Sequence, residues 1–217
     1  MIPARGGSKG IPRKNVTLLN GRPLIHYAIA TAKEVGVDEI WVSTDDGEIR
    51  YISLRKGVHV LDRPEELGRD DSTSESALLH FAGKVEFDVI VFIQCTSPLV
   101  KAQYIKLGLD CVVSGKYDSA FSVCETEHFI WKGHDKVYPI QSHYADSLGD
   151  RPRRQDREKN QIYRLETGAF YITTRKALLE SKSRISGWIK AVETPFWQSF
   201  EVDSIEDLKM IERLMRE

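Results

Sequence analysis

The chain has 217 residues, 41% hydrophobic and 29% charged, with 31 Lys and Arg against 32 Asp and Glu for a formal net charge of −1. That length suits one domain with a buried core; the composition excludes disordered, collagenous and fibrous classes; and near-neutrality excludes a whole-molecule attraction to nucleic acid or an acidic membrane. No apolar run reaches the roughly 18 residues of a membrane helix and no signal-peptide core follows Met1, while Cys95, Cys111 and Cys124 form no C-x-x-C, so a cytoplasmic protein with reduced thiols is expected.

Along the chain, short β-branched runs alternate with helical periods, the pattern of βα units in which helices cover parallel strands. Ile2-Pro3-Ala4 is a stub of a first strand, followed by a glycine-rich loop from Arg5 to Asn15. Pro23 suits the first position of a helix whose apolar positions are Leu24, Ile25, Ala28, Ile29 and Ala32. Glu39 to Thr44 reads as a second strand with Asp45 and Asp46 at its carboxyl end. A helix from Ile49 to Lys56 and a short strand at Val58-His59-Val60 follow. The polar stretch from Asp62 to Ser76 reads as a loop entering a helix through Ala77, Leu78 and Phe81. Asp88 to Ile93 is continuously apolar after its first residue, as a central strand buried on both faces requires. A helix from Ala102 to Val113 and a strand from Ser119 to Val123 come next. Residues 125–165 break the rhythm as a polar excursion, after which Ala169 to Ile172, Lys190 to Val192 and a helix from Ile205 to Leu214 restore it. The expected class is a single α/β domain over residues 1–217: a Rossmann-like, mostly parallel sheet flanked by helices, with 125–165 as an inserted arm.

The segment Arg5-Gly6-Gly7-Ser8-Lys9-Gly10 falls where open α/β sheets bind ligands. Glycines let backbone N–H groups approach a phosphate, and Arg5, Lys9, Arg13 and Lys14 concentrate positive charge within ten residues. A Walker loop and a dinucleotide fingerprint both fail on spacing. From composition alone, a flexible basic loop competes with a triphosphate cradle.

The run from Ile2 to Asn15, followed by Gly21-Arg22-Pro23-Leu24-Ile25, resembles the opening signature of the N-acylneuraminate cytidylyltransferases. Further blocks of that family occur in order: Trp41 to Asp45, Arg63 to Leu67, Gln94 to Pro98, Arg151 to Asp156, Gly168 to Tyr171 and Glu201 to Asp203. The resemblance implies a nucleotide-diphospho-sugar transferase type of fold, a homodimer in which the 125–165 arm reaches a neighbouring active site, and a reaction joining CTP to the anomeric hydroxyl of a nine-carbon 2-keto sugar acid. It implies that Arg5, Lys9, Lys14 and Asn15 hold the triphosphate with Gly6, Gly7 and Ser8 of the same loop, Arg5 and Lys14 acting on the reacting phosphates. Arg63, Ser74 and Ala4 would form the cytosine site, with helix capping as the competing role for Ser74. Gln94 would contact sugar, and Lys132, Arg154 and Gln155 the sugar carboxylate. Tyr163 and Phe170 either pack on sugar or fill the core, Phe170 by preference the core. Cys95 is read as a small neutral residue, since direct displacement needs no covalent intermediate.

Glu201-x-Asp203 places two carboxylates on one face of an extended segment, suited to Mg²⁺. Asp203 is the metal ligand and catalytic carboxylate of choice, and Glu201 is a ligand directly or through water. Helix capping is the competing role for each. The family commonly shows Asp-x-Asp here, and Glu-Asn-Gly where this chain has Glu166-Thr167-Gly168. The sugar is therefore left among sialic acid, its deaminated analogue, legionaminic and pseudaminic acids. Activation of the eight-carbon 3-deoxy-octulosonic acid and a catalytically silent nucleotide-binding module are the competing readings.

Overall fold

The computed structural model describes residues 1–126, 128, 130–135, 137–139 and 163–216. Strands β1 (Ile2–Pro3), β4 (Trp41–Thr44) and β5 (His59–Asp62) form one sheet in the order β1-β4-β5. Strands β6 (Val89–Ile93), β7 (Ser119–Thr126), β10 (Tyr163–Thr174) and β11 (Ile189–Glu193) form a second, in the order β11-β7-β10-β6. At the seam, the Met1 nitrogen donates to the Val91 carbonyl (2.7 Å) and the Ile93 amide to the Met1 carbonyl (3.1 Å), so the two sheets continue as one layer. The pairs β1–β4, β4–β5 and β7–β11 are parallel, and β10 runs antiparallel to both β6 and β7. The mostly parallel α/β layer is thus the expected one, with β10 as its reversed strand.

Helices cover both faces. Helices α1 (Ile25–Val35), α2 (Gly47–Arg55) and α4 (Ala102–Val113) pack over Ile2, Val42, Val91, Ile93, Ala120 and Ile172. Helices α3 (Ser74–Ala82) and α5 (Arg175–Ser181) cover Met1, Ile90, Phe92 and Tyr171 on the other side. Alternate residues of β6 therefore enter opposite cores, which explains its unbroken apolar run. A third cluster packs α6 (Ile205–Leu214) through Leu208 and Ile211 against Leu19, Leu24, Leu99 and Val202.

The structure revises the sequence reading at several points. Pro23 does not begin α1; it lies in β3 (Arg22–Pro23), which pairs with β2 (Leu18–Leu19) across a turn at Asn20 (φ 46°) and Gly21 (φ 72°). The consecutive positive φ angles are those of a primed hairpin turn, for which Asn-Gly is the favoured pair. Helix α5, capped by the Thr174 hydroxyl accepting from the Ala177 amide (3.1 Å), was not anticipated. Within the 125–165 excursion, β8 (Trp131–Gly133) and β9 (Val137–Pro139) form an antiparallel hairpin.

Gly108 sits in mid-helix because α4 lies close on the sheet: a methyl there would stand 3.0 Å from Ile172 Cδ1 and 3.1 Å from Val192 Cγ2. Gly108→Leu should destabilise the fold by about 1–3 kcal/mol through overpacking, read as a lower urea midpoint; an unchanged midpoint would show that α4 can move away at no cost.

Candidate active site

A cleft of about 560 Å³ opens at the carboxyl ends of β1 and β6, lined by the glycine-rich loop, the segment that follows β5 and the segment before α6. Strand β1 ends at Pro3, so the chain leaves the sheet with its cations already at the cleft. The Arg5 guanidinium pairs with Asp70 (3.0 Å) and donates to the Arg69 carbonyl (2.9 Å). Lys9 reaches the other oxygen of Asp70 at 3.3 Å. Lys14, in a single 3-10 turn over Lys14–Val16, places Nζ 2.8 Å from Asp203 Oδ1. Asn15 is buried and donates from Nδ2 to the Arg5 carbonyl (2.9 Å), tying the two ends of the loop together. Ser8 also lines the cleft.

Gly6 and Gly7 are not among the residues that line the cleft; the Gly6 amide donates to Asp45 Oδ1 (2.9 Å), and Gly7 is exposed. Ala4 is fully buried in the core instead of on the cleft surface. Arg13, grouped with the phosphate-facing cations in the sequence, turns out of the cleft. Its backbone is left-handed (φ 57°) and its guanidinium pairs with Asp46 (3.3 Å) and Glu48 at the start of α2. Nearby fixed carboxylates outcompete a solvent-exposed position facing the cleft.

Just after β5, the buried Arg63 donates from Nε to Ser43 Oγ (3.1 Å) and from a terminal nitrogen to the Ser43 carbonyl (2.8 Å). Burial lowers its pKa, offset by Asp45. Ser74, the first residue of α3, faces the cleft; the capping role belongs to Thr73, whose hydroxyl accepts from the Ser76 amide (3.1 Å). Gln94 follows β6 into the cleft, its amide donating to the Ala169 carbonyl (3.0 Å). Burial pushes the neighbouring Cys95 thiol up to about 12, so it is no nucleophile at neutral pH.

Glu201 and Asp203 both line the cleft, with Val202 between them fully buried. Helix capping falls to Ser204, which forms a capping box with Asp207, and leaves Asp203 on the cleft. Glu201 Oε1 accepts from Thr96 Oγ1 (3.3 Å) and Ser97 Oγ (3.1 Å). Burial is the first cause of a raised Glu201 pKa; the Asp203 charge adds to it, and the two hydroxyls oppose it. Phe170 is fully buried in the core. Lys132 is exposed on the β8–β9 hairpin, away from the cleft wall, and Arg154 and Gln155 lie outside the described residues. The sequence reading noted Asp45 at a strand end but missed its bridging role and that of Asp70, which lies in the loop beyond β5 where no local pattern marks it.

Cations thus meet carboxylates at the carboxyl edge of an open α/β sheet, the edge at which proteins of this class bind ligands. Two solved structures share the fold. One is a CMP:2-keto-3-deoxy-manno-octonic acid synthetase complexed with CTP (TM-score 0.74, 19% identity, 99% of this chain and 96% of that one). The other is a 4-diphosphocytidyl-2C-methyl-D-erythritol synthase from Anaerococcus prevotii (TM-score 0.69, 11% identity, 100% and 98%). The cytidylyltransferase family model matches residues 1–216, and the chain belongs to that family. It is 36% identical over 205 residues to N-acylneuraminate cytidylyltransferase B of Danio rerio, covering 94% of this chain and 48% of that protein. It is 35% identical over 214 residues to the N-acylneuraminate cytidylyltransferase of Streptococcus agalactiae serotype III (95% and 50%). The chain thus spans about half the length of these relatives. It is 30% identical over 223 residues to a pseudaminic acid cytidylyltransferase of Campylobacter jejuni, covering 100% of this chain and 95% of that protein.

Because the Glu201 pKa is raised in the fold, its ionisation costs stability as pH rises through that value. In metal-free buffer, Glu201→Gln should therefore melt above the wild type at pH 7, and the gap should close as pH falls below the ordinary glutamate range. A gap independent of pH would show that the Glu201 charge is not the cause.

Proposed function

We propose that this chain transfers CMP from CTP to the anomeric hydroxyl of a sialic-acid-like, nine-carbon 2-keto sugar acid and releases pyrophosphate. The observation that carries this reading is the facing arrangement of Arg5, Lys9 and Lys14 against Glu201 and Asp203 in one cleft. The named relatives support cytidylyl transfer to sialic-acid-like sugars.

In this reading the triphosphate takes the loop cations, exchanging phosphate oxygens for the Asp70 carboxylate that now holds Arg5 and Lys9. The sugar hydroxyl attacks the α-phosphorus in line, and Lys14, Arg5 and Lys9 stabilise the charge that accumulates on the leaving pyrophosphate. Arg63 and Ser74 select the base through its carbonyl, ring nitrogen and amino group. Gln94, with Lys132, Arg154 and Gln155 of the arm, orients the sugar, Arg154 suiting a bidentate grip on its carboxylate.

The donor set fits Mg²⁺: Glu201 and Asp203 are two hard oxygen donors in one cleft, with Glu201 accepting from the Thr96 and Ser97 hydroxyls and its negative charge disfavoured by burial. Among the described residues no group of three or more His, Cys, Asp and Glu gathers, so phosphate oxygens and water would complete the shell. Such an ion supplies charge neutralisation at the triphosphate and a lowered pKa for a coordinated hydroxyl. Asp203 also holds Lys14 in place, so one carboxylate relates both lips. The reading places the enzyme in the cytoplasm as a homodimer whose arm completes the neighbouring site. Among the described residues no helix is long and apolar enough to cross a membrane.

The near full-length match to a pseudaminic acid enzyme favours that nine-carbon acid as the second reading. Incubating the protein with CTP, Mg²⁺ and a panel of sialic, deaminated neuraminic, legionaminic, pseudaminic and octulosonic acids, and measuring pyrophosphate, decides between them. Release with a nine-carbon acid is expected; CTP binding without release from any acid would leave a nucleotide-binding module instead. Lys14→Ala should lower kcat by about 10²–10³-fold while the melting temperature holds; near-wild-type release would remove Lys14 from the assignment.

A further inference from the structure

We propose that Ser122 and Thr167 form a positioning pair that fixes a bulge of β10 behind the cleft residue Glu201 and thereby seats it. The inference rests on the cytidylyl-transfer reading for its kinetic consequence alone; its structural content is independent.

Strand β10 does not run evenly against β7. Glu166 stands opposite Val123 and Tyr171 opposite Phe121, so the four residues of β10 from Thr167 to Phe170 face the single residue Ser122. Such an insertion breaks the ladder and leaves backbone groups to be satisfied by other means. The Ser122 hydroxyl meets that need: it accepts from Thr167 Oγ1 (2.7 Å) and from the Phe170 amide (3.2 Å), and donates to the Phe170 carbonyl (3.4 Å). A serine hydroxyl has one donor and two acceptor sites, and all are used. Both side chains are buried, so water does not compete.

The bulge touches two residues that line the cleft, Gln94 and Glu201. The Ala169 carbonyl accepts from the Gln94 amide (3.0 Å), which fixes the backbone of a cleft residue. Gly168, with φ 68°, is pressed against Glu201: a methyl at Gly168 would lie 2.6 Å from Oε1, the oxygen that Thr96 and Ser97 also hold. Glu201 is therefore confined between two hydroxyls and a glycine whose position depends on the Ser122–Thr167 pair. This also explains the threonine itself. Thr167 spends its hydroxyl inward on Ser122, so its role is in placing the bulge that backs Glu201.

Hydrogen exchange reads the device without turnover. Thr167→Val keeps the shape of the side chain and removes the hydroxyl. It should speed amide exchange at Phe170 and Gln94 about tenfold or more, and Thr167→Ser should restore protection; unchanged exchange at both amides overturns the proposal. In pyrophosphate release, Thr167→Val should lower kcat about 10–100-fold with KM for CTP within about twofold, and Thr167→Ser should recover it. Thr167→Val combined with Glu201→Gln should be no slower than Glu201→Gln alone, since the threonine acts through that carboxylate. A lowered melting temperature with unchanged kcat would reduce the pair to a stabilising contact and overturn the positioning role. A wild-type chain that releases no pyrophosphate with any acid overturns the proposed function instead, and the exchange measurement still decides the device.

Discussion

The architecture of the cleft depends on one constraint: acidic side chains are brought against backbone at places where no Cβ intervenes. Gly6 lies against Asp46 and Gly168 against Glu201, where an added methyl would stand 2.9 Å and 2.6 Å from carboxylate oxygens; Gly68 is pressed in the same way onto Asp45. These contacts join segments far apart in sequence. Asp45, at the end of β4, accepts the Gly6 amide of the first loop and abuts Gly68 of the loop after β5, so one carboxylate sets the spacing of two walls. Gly10 approaches the Asp203 backbone in turn, which brings the basic loop beside the segment carrying the carboxylate pair. The glycines first read as phosphate cradles thus also serve a second purpose, letting acidic residues dock on the loops that carry them.

That docking changes the meaning of the neutral net charge. The chain's 31 basic and 32 acidic residues do not merely cancel over the surface; around the cleft they are sorted into pairs. Asp70 holds Arg5 and Lys9, Asp203 holds Lys14, and Asp46 with Glu48 holds Arg13. The pairs differ in exposure. Lys9 and Asp70 keep 78% and 43% of their side-chain surface exposed, and ion pairs of that kind contribute about 0–1 kcal/mol. Lys14 keeps 15%, and its partner Asp203 keeps 70%. The first cations are therefore the readiest to change partners, and the last is the most firmly placed.

Much of this was legible in the sequence where the signal is local. The apolar run of β6, the α4 and α6 periods and the run of cations after the first strand each state their role within a dozen residues, and Ala102–Val113 and Ile205–Leu214 are helices over the expected spans. What was not legible depends on partners distant in the chain. Two-residue strands such as β2 and β3 are too short to show a period of two, so the hairpin goes unmarked and Pro23 reads as a helix start. The reversal of β10 leaves no mark in composition, because a strand buried on both faces has the same apolar pattern in either direction. Arg13 was read with its neighbours Lys9 and Lys14, yet its partners Asp46 and Glu48 lie 33 and 35 residues away. The hydroxyls that hold Glu201 come from Thr96 and Ser97, more than a hundred residues earlier.

The two lips of the cleft are consequently built to different standards of rigidity. The basic lip is a loop whose Arg5 and Lys9 charges are met by an exposed Asp70, so on the proposed reading an incoming polyanion would replace one set of oxygens by another at little cost. The acidic lip is tied to the turn after β6: Val202 is fully buried and its amide donates to the Thr96 carbonyl (2.7 Å), Glu201 is confined by Gly168, Thr96 and Ser97, and the bulge behind it saturates Ser122. A catalytic site gains most when the groups that meet developing charge are fixed before the reaction and do not have to be reorganised during it. Here the fixed side carries the less satisfied charge, since Glu201 is opposed by burial and by Asp203 while its own partners are neutral hydroxyls. A triphosphate alone would release Asp70 and add negative charge beside that pair. On the proposed reading, a polyanion together with a hard cation would balance the charge of the cleft, the first on the adaptable loop and the second beside the preset carboxylates.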